Sequence, residues 1–80
     1  MGMYKTTVKR ILDLCDERKI TPNGLAYASG VSQSTIKSIL NEESMNPGIV
    51  TIKKLCDGLD ITITDFFNTE DFKNLDQEIQ

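Results

Sequence analysis

Apolar residues recur at helical spacing in separate blocks along the chain. Val8, Ile11, Leu12 and Cys15 form one side of a leading helix, and Lys9, Arg10, Asp13, Asp16 and Glu17 turn outward. Met1 to Thr6 reads as a frayed start, which Tyr4 could extend into a first turn over the core. Arg18 and Lys19 suit the negative end of that helix, and Ile20 drops back into the core. A second block places Leu25 and Ala26 inward, and in a third Ile36, Ile39 and Leu40 share one side at i, i+3, i+4 spacing. Ile49, Ile52, Leu55, Cys56 and Leu59 make the inward set of a fourth helix running from Ile49 to Asp57, with Gly58 ending it. Phe66 and Phe67 close the bottom of the core.

The residues between these blocks are capping residues. Thr21 caps the second helix, and Pro22 fits its first position, where the missing amide hydrogen would have had no partner. That helix runs to Ser29. Gly30 supplies the left-handed backbone of a helix end, Val31 plugs the turn, and Ser32 caps the helix Gln33–Leu40. Two helices joined by so short a glycine-containing turn have the spacing of a helix-turn-helix. The second of them is apolar on one side only. Gln33, Ser34, Lys37, Ser38 and Asn41 occupy the other, so its outer face offers amides, hydroxyls and a cation. A loop spans Asn41 to Gly48, because Pro47 disfavours helix at Asn46. Thr62 caps a short fifth helix, and Asp65 is placed to complete a reciprocal capping pair.

The run L-A-x-x-[SG]-G-V-S-x-S-T-I-x-x-I, Leu25 to Ile39 here, resembles the helix-turn-helix of the phage repressor and Cro group, the XRE-type regulators. The likeness takes in the leading helix, the Asn46-Pro47 loop and L-x-I-T-I-T-D-F-F at Leu59–Phe67, and covers roughly residues 5 to 68. It implies an all-α fold, a compact five-helix repressor-like DNA-binding domain over residues 1–68; beyond the resemblance lies an acidic C-terminal segment, 69–80, that could form a short helix. It also implies a sequence-specific DNA-binding transcriptional regulator, expected to be a repressor, whose helix 33–40 enters the major groove of double-stranded DNA as part of a homodimer on two half-sites.

Within that frame, Gln33 and Ser34 at the start of the recognition helix are the best placed base contacts, with Lys37 and Ser38 one turn later. Thr21, Thr35, Asn41, Ser44 and Asn46 are expected to hold phosphates, which fix register without carrying sequence information. Two positions depart from the family pattern. Pro22 stands where many relatives carry a phosphate-binding glutamine. Gly24 replaces the glutamate that would complete a capping box with Thr21. Weaker non-specific affinity is the expected consequence.

Residues 69–80 carry Phe72, Leu75 and Ile79 at i, i+3, i+7 behind a Thr69 cap, a narrow apolar stripe on a charged segment. The stripe folds back on the domain, pairs with a second copy, or belongs to a frayed tail. Phe67 together with Phe72, Leu75 and Ile79 are the candidate dimer contacts.

Charge separates the two halves. The chain of 80 residues is net −3, yet from Asp57 onward seven carboxylates face Lys73 alone, a balance of −6, which leaves +3 on Met1 to Cys56. That polarity suits one face meeting a polyanion, although a charge run is equally a solvated surface. It also leaves an alternative, an antitoxin-like or anti-regulator module whose acidic segment masks a basic protein partner.

Other classes are disfavoured. With no histidine and no C-x-x-C, Cys15 and Cys56 read as buried reduced thiols, so neither a metal nor another cofactor is expected. No nucleophile lies beside a plausible base, and no glycine-rich phosphate loop is present, so the protein is not expected to be an enzyme. No apolar run reaches the roughly 20 residues needed to span a bilayer, and no leader precedes the helices, so a cytoplasmic location is expected.

Overall fold

The computed structural model describes residues 1–79, and every regular element among them is helical: α1 Met3–Glu17, α2 Pro22–Ser29, α3 Gln33–Leu40, α4 Ile49–Gly58, α5 Ile63–Phe67 and α6 Glu70–Lys73. These are the five expected helices and a one-turn C-terminal helix. One core joins them, built from residues that include Ile11, Leu14, Leu25, Ile36, Ile39, Ile52, Leu55, Leu59 and Phe66. Packing of α2 against both α4 and α3 holds the helix-turn-helix on this core.

Three side-chain assignments change, two of them inward and one outward. The buried stripe of α1 is Thr7, Ile11, Leu14 and Cys15, while Leu12 is exposed. Those four follow i, i+4, i+7, i+8, and a helix of 3.6 residues per turn carries Leu12 off to the flank. Ile49 is 81% exposed. It shares a stripe with Ile52, but it is the first residue of α4, and side chains lean toward a helix N-terminus, so it projects past the core. Arg10 is not turned to solvent. Its Nε donates to the Phe66 carbonyl at 2.8 Å and its Nη2 to the Asp65 carbonyl at 2.9 Å, tying α1 to the end of α5.

The chain start is also firmer than expected. Helix α1 begins at Met3, and Thr6 and Thr7 are buried in it. The C-terminal stripe does not form as one helix face, because α6 ends at Lys73. Phe72 packs instead onto Phe66 and Phe67, with ring centroids 6.0 and 4.9 Å away. The following segment runs back along the start of α1, where the Asp76 carboxylate meets the Met1 amino group at 3.0 Å and the Met3 amide donates to Glu78 at 3.4 Å.

Two helix ends do without glycine. Lys19 and Asp60 adopt left-handed backbone, φ 55° and 57°, so that the amides of Ile20 and Ile61 donate to the carbonyls of Cys15 and Cys56 at 2.9 and 3.0 Å. Both bonds have the six-to-one form of a Schellman end.

Cys15 and Cys56 lie in the core as free thiols, and loss of solvation pushes both pKa values up. Thiolate is the reacting species, so burial protects them twice over. A bulky thiol reagent is expected to label neither in native protein and both after denaturation. Rapid native labelling would place them outside the core.

Candidate nucleic-acid interface

The motif is assembled by three local devices. Thr21 Oγ1 accepts from the Gly24 amide at 3.1 Å and starts α2. Gly30, at φ 72°, ends α2 with its amide on the Ala26 carbonyl at 3.0 Å. Ser32 Oγ accepts from the Thr35 amide at 3.1 Å and starts α3. Val31 is buried in the turn. Gly24 is also a packing residue. A Cβ there would lie 2.9 Å from Ile20 Cγ1, so the glutamate of a capping box would displace Ile20.

With Ile36 and Ile39 buried, α3 must present its opposite face. An open groove between α2 and α3 is lined by Pro22, Asn23, Gln33, Ser34, Lys37 and Asn41, among others. A second hollow, shallower and adjoining the first at Ser34, is lined by Ser34, Thr35, Ser38 and Ser44. Gln33, Ser34, Lys37 and Asn41 are exposed, and Ser38 and Ser44 half-buried. Of the proposed contacts, then, Gln33, Ser34, Lys37 and Asn41 share one groove, while Ser38, Thr35 and Ser44 share its neighbour.

The remaining candidates lie differently. Thr21 is exposed, but its hydroxyl is engaged as the α2 cap. Thr35 shares a 2.8 Å hydrogen bond with Ser32. Asn46 faces a different groove, on the far side of the loop, among Met45, Pro47 and Ile49. Asn23 lines the main groove although its sequence context carries no distinguishing signal; only its position one residue into α2 could have pointed to it.

A longer-range device fixes the end of α3. The Tyr4 hydroxyl donates to the Ile39 carbonyl and accepts from the Glu42 amide, 3.1 Å away. A phenol from α1 thus satisfies one of the orphan carbonyls of α3 and braces the left-handed Glu42, at φ 63°. The amides of Glu43 and Ser44 both donate to the Ser38 carbonyl, at 2.9 and 3.0 Å, and hold the loop close to α3. No local sequence pattern marks Tyr4 for this role, since its partners lie 35 and 38 residues away.

Charge is distributed as this face requires. From Thr21 to Asn41 there is no carboxylate, and Lys37 is the one charged side chain. Acidic groups of the C-terminal half are partly neutralised away from the motif. Asp71 and Asp13 each meet Lys9 at 3.0 Å, and these hydrogen bonds raise the Lys9 pKa. Asp57 pairs with Lys53 one turn back on α4. Among the described residues no three histidine, cysteine or carboxylate side chains gather as a metal site, and no helix is long and apolar enough to cross a membrane.

Comparison with known families agrees with this geometry. Residues 2–71 match the family model of the Cro/C1-type HTH DNA-binding domain. No match was found among curated proteins or among solved structures. With the match running from the start of α1 into α6, the chain belongs to the Cro/C1-type helix-turn-helix family and is a DNA-binding protein.

Proposed function

We propose that this protein is a sequence-specific transcriptional regulator that lays α3 in the major groove and represses by occupying its operator. The observation that carries this reading is the gathering of Gln33, Ser34 and Lys37 along one groove between the start of α2 and the length of α3, with no carboxylate among residues 21–41. Gln33 can bond an adenine edge through both its amide atoms, Ser34 can donate or accept, and Lys37 reaches a guanine edge or a phosphate. Ser38 contributes from the adjoining hollow. Thr35, Asn41 and Ser44, with the backbone at the start of α2 near Thr21, hold the phosphates on either side, whereas Asn46, in its separate groove, is not among these contacts.

Repression needs no surface beyond the DNA-binding one, because a protein bound over a promoter excludes polymerase. A homodimer supplies the second recognition helix, as half-sites one duplex turn apart require. So few cations on the reading face imply a shallow salt dependence.

Selection of binding duplexes from a random pool by the full chain, followed by gel shifts between about 50 and 200 mM salt, tests the reading. An inverted repeat with half-site centres roughly 34 Å apart is expected, bound with an affinity that falls gently as salt rises. No enrichment, and no shift of the pool at the lowest salt, would contradict it.

A further inference from the structure

The exposed apolar side chains are not scattered evenly. Met3, Tyr4, Met45, Pro47, Ile49 and Phe67 border one groove of about 510 Å³ between the start of α1, the loop after α3 and the start of α4. Val50, itself exposed, follows Ile49, and the exposed Ile79 follows Glu78, the single charged residue of the lining. A flank this apolar, with one carboxylate, has no charge pattern by which to recognise a polyanion or a basic peptide. Such a patch marks a protein contact.

We propose that this flank is where two copies of the chain meet, with Ile49 of each copy entering the groove of the other. A two-fold interface must be self-complementary, so projection and hollow have to lie on one patch. Here Ile49 stands out with most of its surface in solvent beside a hollow floored by Tyr4 and Phe67. The patch is also continuous with the DNA-binding face. Met45, Asn46 and Pro47 lie on it, while Ser44 of the same loop lines the α3 hollow. The chain measures 37 × 25 × 20 Å between Cα extremes, so copies centred about 34 Å apart on adjacent half-sites meet at a flank when the long axis lies along the duplex.

The interface rests on the dimeric operator reading above and relocates its contact. Phe67 and Ile79 belong to or adjoin the flank, whereas Phe72 is engaged in its own aromatic cluster.

The test is sedimentation of the full chain beside Ile49→Glu and Leu12→Glu, the latter altering an exposed apolar residue on another face of α1. Without DNA, the unchanged chain and Leu12→Glu are expected to dimerise at tens of micromolar, and Ile49→Glu to self-associate at least about tenfold more weakly, with an unchanged Tm at dilutions that leave all three monomeric. On DNA, Ile49→Glu is expected to keep its affinity for a single half-site of the selected duplex and to lose cooperative filling of two. A monomeric unchanged chain, or an Ile49→Glu dimer as tight as the unchanged one, would overturn the proposal. Sedimentation alone decides the interface, and half-site binding reports separately on the DNA reading.

Discussion

Phe66→Ala is expected to remove about 3–5 kcal/mol of folding stability. The Phe66 side chain has no solvent exposure and stands against Phe67 edge-on, ring centroids 4.9 Å apart, and against Phe72. The Arg10 guanidinium lies 5.9 Å from its ring centre and also donates to its carbonyl, so one residue joins α1, α5 and α6. A domain of this size has only roughly 4–12 kcal/mol in total, at 0.05–0.15 kcal/mol per residue. The loss therefore consumes a quarter of the stability or more, and a fall in Tm of at least about 12 °C should accompany it. Thermal and urea unfolding followed by circular dichroism measure both. A cost below about 1 kcal/mol would show that the aromatic cluster is peripheral.

The second large effect has a sign that helix propensity alone would get wrong. Gly58 is the last residue of α4, and replacing glycine by alanine inside a helix ordinarily stabilises by about 0.5–1 kcal/mol. A Cβ on Gly58 would instead lie 2.8 Å from Ser29 Cβ and 2.9 Å from both Ser29 Cα and Ser29 N. Backbone cannot swing aside as a side-chain tip can, so α2 must be pushed off α4, at a typical overpacking cost of 1–3 kcal/mol. The net expectation for Gly58→Ala is a loss of roughly 1–2 kcal/mol. Because α2 carries the turn into α3, DNA affinity should weaken as well. Equilibrium unfolding decides the matter, and a more stable variant would contradict the close crossing of α2 and α4.

Local chemistry made much of this fold readable. The caps Thr21, Ser32, Thr62 and Thr69 each accept the expected amide hydrogen, and Gly30 takes the left-handed backbone expected of it. Caps and turns act within four residues, so the sequence states them outright. What the sequence misplaced depends on neighbours brought together by folding. Leu12 and Leu14 differ little as residues, and only the packing of α1 on the rest decides which is buried. Ile49 obeys the helical period but lies beyond the end of the core. Phe72 belonged to a plausible helix stripe, yet α6 stops after one turn and the ring joins Phe66 and Phe67. Gly58 looks in the sequence like a helix terminator, whereas its nearest non-local neighbour, Ser29, explains the missing side chain.

The outer face of α3 was the most legible part of the candidate site, because one buried stripe on a short helix dictates what the opposite side must be. Its supports were the least legible. Tyr4 and Asn23 reach the site from elements whose own periodicity says nothing about α3. The separation of Asn46 from Ser44 likewise depends on how the loop folds back onto the Ser38 carbonyl.

Whether α3 reads bases is decided by the affinity of Gln33→Ala for the selected operator and for its single base-pair variants. Gln33 is exposed and takes no part in the core, so folding should be untouched. A loss of about 1–3 kcal/mol on the operator is expected, together with relaxed preference at one base pair in each half-site. Lys53→Ala and Lys54→Ala, on exposed positions of α4, should at most lower affinity evenly across all the duplexes. Unchanged affinity and unchanged base preference in Gln33→Ala would contradict the placement of this helix in the groove.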